Sequence, residues 1–308
     1  MGKILITGGM GFIGSKLVQL LIKKGYKNKI IIIDNLSNSK NKNIKYTKFL
    51  KIDCSKSLYI EKLNRIKIDV IFHIAASSSG ENSFYETEKD IKYNLLATLN
   101  LLNLAKKNKV KKFIFTSTMS VYGDPDRLPV TEKSIKKPKS FYAIHKSASE
   151  EYIKIFSNYG ISCSILRLFN VYGPGQNLEN KKQGMLKIYL TQMIKDKKLN
   201  IKGSLERFRD FIYIDDVVDA LYKCIKNKKK LLILNIGSGK KITVKNLIKN
   251  LNVELKTNIK PKIIKGTPGD QHGIYGNIKK AKNNINWKPQ FNLKTGLKNF
   301  ISYIQNNV

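Results

Sequence analysis

Lys3-Ile4-Leu5-Ile6-Thr7-Gly8-Gly9-Met10-Gly11-Phe12-Ile13-Gly14 is the stretch on which the reading of this chain turns. The β-branched run Lys3–Thr7 predicts a strand, and the apolar spacing over Phe12–Lys24 predicts a helix. Between them the glycines satisfy G-x-G-x-x-G from Gly9 and G-x-x-G-x-x-G from Gly8. Chemistry requires glycine there because the backbone must turn tightly and let a pyrophosphate approach a helix N-terminus with no Cβ in the way. A glycine motif alone is weak evidence; between a strand and a helix it is strong. Asp34 stands twenty residues beyond Gly14, at the end of Ile31-Ile32-Ile33-Asp34-Asn35. A carboxylate so placed can accept both hydroxyls of an adenosine ribose and would repel a 2′-phosphate, which favours NAD over NADP.

Outward from this unit, apolar runs alternate with longer amphipathic ones. Strands are expected at Lys29–Ile33, Thr47–Ile52, Asp69–Ile74, Lys112–Ser117 and Ser162–Leu168, and helices at Tyr85–Lys107 and Phe141–Tyr159. Strands apolar throughout, alternating with helices, imply an α/β fold with a doubly wound parallel sheet (Rossmann-like) and a ligand at the carboxyl ends of the strands. After Tyr172 the rhythm loosens at Gly173-Pro174-Gly175, and short strands return at Phe211–Ile214 and Leu231–Ile236. The expected division is a dinucleotide-binding domain over residues 1–170, with return segments near 211–236, and a smaller interleaved lobe, mainly for substrate, over 171–308. Asp215-Asp216 reads as the cap of a helix over Val217–Lys226.

Composition sets the outer limits. Hydrophobic residues at 42% and charged residues at 26% are ordinary for a globular protein and exclude collagen, coiled coil and wholesale disorder. The longest apolar runs, such as Ile30–Ile33 and Leu231–Leu234, fall far short of a membrane span. The opening residues enter a strand at once rather than a signal peptide, so a cytoplasmic location is expected. Cys54, Cys163 and Cys224 are odd in number and widely spaced, which implies neither a disulfide frame nor a metal site. Net charge is +36, yet only five basic residues are arginine, and the lysines are even, 26 in residues 1–150 and 27 beyond. Dedicated nucleic-acid binders concentrate charge and favour the arginine fork. Lysine, asparagine and isoleucine are all in excess, as codon bias in an AT-rich genome produces. Only weak, salt-sensitive binding to polyanions is expected.

Tyr142-Ala143-Ile144-His145-Lys146 places a phenol and an ammonium one turn apart on a helical face. A tyrosine with a pKa near ~10 is a poor base at neutrality, and a neighbouring lysine cation with a positively charged nicotinamide would favour its phenolate. Y-x-x-x-K means little by itself in so lysine-rich a chain. It gains force from the hydroxyl-rich strand end Phe115-Thr116-Ser117-Thr118-Met119-Ser120-Val121-Tyr122-Gly123, which emerges at the carboxyl edge of the sheet.

At this point the sequence resembles the extended short-chain dehydrogenase/reductase family, in particular its nucleotide-sugar epimerases and dehydratases, and most of all UDP-glucose 4-epimerase-like members. The resemblance runs over essentially the whole chain, through Thr7–Gly14, Ile33–Asn38, Phe72–Ala76, Asn94–Leu102, Thr116–Gly123, Tyr142–Lys146, Arg167–Gln176, Arg209–Asp216, Asn235–Gly239 and Pro268–Asp270. It implies an NAD-dependent nucleotide-sugar 4-epimerase, acting on a UDP-linked sugar as a homodimer. Gly8, Gly11 and Gly14 would form the phosphate loop, with Phe12 and Ile13 offering amides to the pyrophosphate. Asp34 and Asn35 would hold the adenosine ribose, and Asp53 and Cys54 would flank the adenine. Ala75, Ala76 and Asn94 would line the nicotinamide half, with Phe169 behind it. Thr118, Tyr142 and Lys146 would be the catalytic triad. Asn170 and Arg209 would meet the diphosphate or its neighbourhood, and Asp270 and Ile274 the substrate, Ile274 at the position that gates an N-acetyl group. Helices Tyr85–Lys107 and Phe141–Tyr159 resemble the pair that builds a four-helix dimer interface.

Two departures bear on the reaction. Resembling 4,6-dehydratases carry Asp-Glu directly after the triad threonine, and decarboxylating members a Glu in the second of those positions. Met119 and Ser120 stand there and supply no acid or base near neutrality, which leaves epimerisation or simple oxidation and reduction. Many epimerases place an arginine before Pro-Gly-Asp; here that residue is Thr267. His73 is expected to be structural, His145 to face away from the site, and His272 to be a faint candidate for sugar contact. No His/Cys/Asp cluster has metal-ligand spacing. Rival readings are a reductase, a dehydratase or an epimerase at another carbon, and a non-catalytic NAD-binding protein using its charge on RNA or a membrane surface.

Overall fold

Alternate residues of a strand face opposite ways, and here both faces are buried. Ile4 and Ile6 of β1 (Lys3–Thr7) join one hydrophobic cluster and Leu5 the other. The computed structural model describes residues 2–39, 44–180, 184–266 and 271–307. After β1 come α1 (Phe12–Lys23), β2 (Ile30–Asp34), β3 (Thr47–Lys51), α2 (Ser57–Glu61) and β4 (Ile68–His73). Then follow α3 (Thr87–Ile91), α4 (Ala97–Lys107), β5 (Lys112–Thr118), α5 (Phe141–Phe156) and β6 (Ser162–Leu168). Beyond these lie β7 (Asn170–Tyr172), α6 (Met185–Thr191), β8 (Asn200–Lys202), β9 (Phe208–Arg209), β10 (Phe211–Tyr213) and α7 (Ile214–Cys224). The chain continues with β11 (Leu231–Ile236), β12 (Ile242–Thr243), α8 (Val244–Leu255), β13 (Lys262–Ile264), α9 (Lys279–Ile285) and α10 (Leu293–Gln305).

Among the described residues the largest sheet has seven strands, all parallel, in the order β11-β6-β5-β4-β1-β2-β3. The order reverses at β1 and β4, which opens a crevice over their carboxyl ends. One face is covered by Leu17, Val18 and Leu21 of α1, Leu221 of α7, Leu251 of α8 and Phe300 of α10. The other is covered by Leu101, Leu102 and Ala105 of α4 and Ile153 of α5. Each fully buried aliphatic side chain in these layers contributes about 1.5–3 kcal/mol. A third cluster, Val121, Tyr122, Val130, Phe169 and Ile274, lies beyond the end of β5. Among the described residues no helix is long and apolar enough to cross a membrane.

Three expectations need correction. Tyr85–Lys107 is not one helix: a π-helical turn, Lys92–Leu96, separates α3 from α4. The Asn94 carbonyl there accepts from Thr98 Oγ1 at 2.7 Å and Ser149 Oγ at 3.0 Å, and side-chain donors at a helical carbonyl open the turn. Of the two return segments only Leu231–Ile236 joins the seven-stranded sheet; Phe211–Tyr213 pairs with β7 instead.

Asp215 and Asp216 lie inside the first turn of α7 rather than capping it. The Asp216 carboxylate accepts from Gln290 N at 2.7 Å and Phe291 N at 3.2 Å, and its carbonyl from Trp287 Nε1 at 2.9 Å. This residue docks the segment before α10. Asp216→Ala leaves two backbone donors without acceptors, so a loss of about 2–4 kcal/mol in denaturant unfolding is expected. An unchanged midpoint would show that Trp287 packing alone holds the segment.

Candidate active site

The crevice is built by contacts that only glycine permits. A Cβ on Gly14 would lie 2.1 Å from the Gly8 carbonyl oxygen, and one on Gly8, at φ +66°, would lie 2.8 Å from the Ala75 backbone. Gly11 starts α1 with no side-chain cap, so the first amides of that helix face the crevice with their dipole. Thr7 Oγ1 accepts from Ile74 N at 3.1 Å and Ala75 N at 3.0 Å, drawing the turn after β4 against the turn after β1. His73 completes this knot, with Nδ1 2.8 Å from Thr7 Oγ1 and Nε2 3.0 Å from Thr98 Oγ1. The Thr7 hydroxyl has accepted twice and donates to Nδ1, which assigns the proton to Nε2. Burial and the Lys146 charge hold His73 neutral, as a structural histidine.

Asp34 sits at the end of β2 with its carboxylate already engaged. It accepts from Met10 N at 3.1 Å, Leu36 N at 2.8 Å and Ser39 Oγ at 3.3 Å. A carboxylate offers about four acceptor positions, so a ribose diol would take the remaining one and displace the Ser39 hydroxyl for the second. Asp34, Asn35, Asp53, Cys54, Ala75 and Ala76 line one cavity of ≈ 50 Å³. Ala75 and Ala76 thus share one cavity with Asp34 and Asp53. Burial, with Asp53 and Asp34 nearby, pushes the Cys54 thiol far up, so it is no nucleophile. Asn94 donates through Nδ2 to Ser77 O and Asp90 Oδ1, both at 2.9 Å, while its buried Oδ1 has no partner. The glycine cradle, the carboxylate at the end of β2 and an acceptor waiting in Asn94 fit a dinucleotide.

Thr118, Tyr142 and Lys146 converge at the carboxyl end of β5. Ser140 Oγ caps α5 by accepting from Ala143 N at 3.2 Å, which fixes the first turn carrying Tyr142. Lys146 Nζ donates to Thr116 O at 2.9 Å and lies 4.4 Å above the Phe115 ring. Thr118 Oγ1 accepts from Ser120 N and donates to Ser120 Oγ, both at 3.1 Å, and its hydroxyl acts on the Tyr142 phenol. Burial pushes Tyr142 up to about 12 against the pull of Thr118, and Asp90 pushes the same way. Burial pushes Lys146 down to about 7, opposed by Asp90 and Glu150. The expected phenolate relies on a positively charged nicotinamide as well as on the lysine. In the bare chain desolvation wins.

The remaining expected residues are scattered around this centre. Asn170 Nδ2 donates to Asp210 O at 3.3 Å and Met119 Sδ at 3.6 Å. Phe169 packs against Gly237 and Gly276, and Ile274 is wholly buried beside it. Arg209 donates to the carbonyls of Phe208 and Gln271, both at 2.8 Å, so its fork ties β9 to Gln271. Thr267 and Asp270 lie outside the described residues. His272 is exposed, its ring edge-on to Phe208. His145 is not a solvated bystander: Nδ1 lies 2.7 Å from Oδ2 of buried Asp90, the carboxylate that acts on both Tyr142 and Lys146. Sequence reasoning missed Asp90, whose role arises across 55 residues of chain. It also missed Glu150, although Tyr142, Lys146 and Glu150 repeat at helical spacing.

A fold with its crevice at the strand-order reversal, a glycine-lined helix start and a Tyr–Lys pair at the sheet edge defines a dinucleotide-dependent enzyme. Residues 4–237 match the model of the NAD dependent epimerase/dehydratase family, and the chain belongs to that family. Its cofactor is NAD. It is 36% identical over 99% of both chains to a Methanocaldococcus jannaschii protein named "Putative UDP-glucose 4-epimerase". It is 31% identical, over 96% of this chain and 86% of the relative, to UDP-glucuronic acid decarboxylase 6 of Arabidopsis thaliana. A crystal structure of UDP-glucose 4-epimerase with UDP-glucose from Thermotoga maritima is 34% identical and superposes with a TM-score of 0.94 over 99% of each chain.

Gly14→Ala drives a methyl group into the Gly8 carbonyl and the floor of the loop. The purified variant is expected to carry little or no NAD, measured by acid release and absorbance, beside a native chain that retains it. Full NAD content in that variant would move the phosphate site away from this turn.

Proposed function

We propose that the chain is an NAD-dependent nucleotide-sugar 4-epimerase, interconverting UDP-glucose and UDP-galactose or their N-acetyl analogues. The observation that carries this reading is the convergence of Thr118, Tyr142 and Lys146 at the crevice, followed directly by Met119 and Ser120. Neither Met119 nor Ser120 can protonate or deprotonate a sugar carbon or hydroxyl near neutrality, so elimination and decarboxylation lack their acid and base. The decarboxylase relative keeps those reactions as the alternative, along with reduction or epimerisation at another carbon.

Residues 1–170 with β11 would bind NAD through Gly8, Gly11, Phe12, Ile13, Gly14, Asp34, Asn35, Asp53, Cys54, Ala75, Ala76, Asn94 and Phe169. Residues 171–308 would mainly hold the sugar nucleotide, with Asn170, Arg209, Asp270 and Ile274 as its contacts. When bound, NAD supplies a hydride acceptor and a positive ring beside the phenol. Tyr142 takes the proton of the sugar 4-hydroxyl at its phenolate oxygen and later returns it. Thr118 holds that same oxygen by a hydrogen bond. Lys146 lowers the cost of the phenolate charge and orients the cofactor ribose. The order of proton loss and return needs no external acid.

Incubation with UDP-galactose, and separately UDP-N-acetylgalactosamine, is expected to yield the gluco epimer without added reductant, resolved by anion exchange or NMR. Tyr142→Phe should lower turnover by about 10²–10⁴-fold with NAD still bound. Full activity in that variant would remove the phenol from the mechanism.

The chain is also proposed to act as a homodimer. Exposed apolar side chains gather on the paired helices: Tyr85 just before α3, Ile91 in α3 and Leu96 in the π-helical turn, and Ile144 and Ile155 in α5 with Tyr159 just beyond it. Sedimentation should give twice the mass of one chain, and the pair Ile91→Glu with Ile155→Glu should give a monomer. A native chain that sediments as a monomer rules the dimer out.

A further inference from the structure

Behind the catalytic residues lies a buried ionic network. Glu150, one turn beyond Lys146 on α5, is 0% exposed. Its carboxylate accepts from Arg167 Nε at 2.9 Å and Nη2 at 2.7 Å, and from Ser117 Oγ at 2.6 Å. Lys136 Nζ stands 3.6 Å away on its outer side. Arg167, in register with Ser117 on the neighbouring strand, also donates to the Tyr122 hydroxyl at 2.9 Å and to Glu132 O at 3.2 Å. A buried ion pair yields little net stability, because desolvation offsets the attraction. Its placement distinguishes this one. Tyr142, Lys146 and Glu150 share a helical face at four-residue spacing, and Ser117 immediately precedes Thr118.

We propose that Glu150 is a positioning residue of the reaction, clamping the Tyr142–Lys146 face of α5 to the Thr118 end of β5 and holding a negative charge one turn behind the Lys146 ammonium. The inference rests on the catalytic reading of Tyr142 and Lys146 given above. The groups that face Lys146 are Asp90 from α3, neutral His73 from β4, and Tyr142 and Glu150 from its own helix. Burial pushes the lysine down to about 7, and the two carboxylates push it back up. Asp90 raises the tyrosine as well, which hinders the phenolate. Glu150 lies two turns from Tyr142 and acts on the lysine. A raised lysine pKa extends the cation to higher pH, so removing the Glu150 charge must bring its loss to lower pH.

The test uses the NAD-loaded chain with lysine labelled by carbon-13 at Cε. Lys146 is identified as the resonance lost in Lys146→Arg; ordinary lysines titrate near ~10.4, well clear of it. In Glu150→Gln the Lys146 midpoint should fall by about one unit, and the alkaline limb of kcat should fall with it. At the pH optimum kcat should drop about tenfold with KM changed less than about threefold. In Ser117→Ala, which keeps both charges, the midpoint should stay and kcat should still fall. An unmoved midpoint in Glu150→Gln overturns the charge role, and an unchanged kcat in Ser117→Ala overturns the clamp. Should Glu150→Gln not fold, Glu150→Gln with Arg167→Met removes both charges together, avoids an uncompensated guanidinium, and must still lower the midpoint, by less than the carboxylate's loss alone. Tyr142→Phe separates the two levels. Full turnover there sinks the catalytic reading, whereas an inactive Tyr142→Phe beside an unmoved Lys146 midpoint sinks this inference alone.

Discussion

The crevice exists because no side-chain atoms stand where β1 meets α1. With Gly8 at φ +66° and Gly14 against its carbonyl, α1 starts close under the sheet edge, and a single methyl group there would meet backbone at 2.1 Å. The same closeness lets Ala75 approach Gly8, and Thr7 then collects the Ile74 and Ala75 amides. Two turns from strands adjacent in space but distant in sequence become one surface. His73 and Thr98 extend the knot to α4, and Thr98 in turn helps open the π-helical turn that carries Asn94. A chain of short contacts therefore runs from the phosphate loop to the residue with the unpartnered acceptor.

At the other end of the crevice the controlling term is desolvation. Tyr142 and Lys146 are both buried, and burial disfavours the charged form of each, moving the tyrosine up and the lysine down. A phenolate–ammonium pair is thus not the resting state of the bare chain. It must be created by added positive charge near the phenol and by negative charge near the lysine. The carboxylates of Asp90 and Glu150 supply the second, and His145 and Arg167 hold them in place.

Much of this was legible in the sequence wherever local pattern decides structure. The limits of β1, β6 and β11 follow from runs of apolar residues, since a strand buried on both faces admits no polar alternation. The glycine turn, Asp34 and the Tyr142–Lys146 pair follow from spacing within one element or one β-α-β unit. What stayed hidden was set by partners far along the chain. Nothing local announces that Ser149 reaches the Asn94 carbonyl, that Asp216 clamps residues 290 and 291, or that Asp90 meets His145. The burial of Tyr142 and Lys146 stayed hidden for the same reason: spacing brings charges together, but only the packed fold decides how much water remains around them.

The lysine excess bears on how such a site survives an unusual composition. Among the described residues the buried lysines are Lys112, Lys146 and Lys187. Their ammonium groups rest on neutral acceptors: Lys112 on Ser162 and the Asn227 carbonyl, Lys146 on Thr116 O, Lys187 on the carbonyls of Asn177 and Asn180. The other described lysines are exposed or half-buried, where a change of residue shifts stability little. Two of the five arginines use a planar fork inside the core: Arg167 grips Glu150 and Arg209 spans carbonyls. A drift toward lysine can thus saturate the surface while the crevice holds a single buried lysine, Lys146, because the turn that builds it demands glycine, where any Cβ would meet backbone.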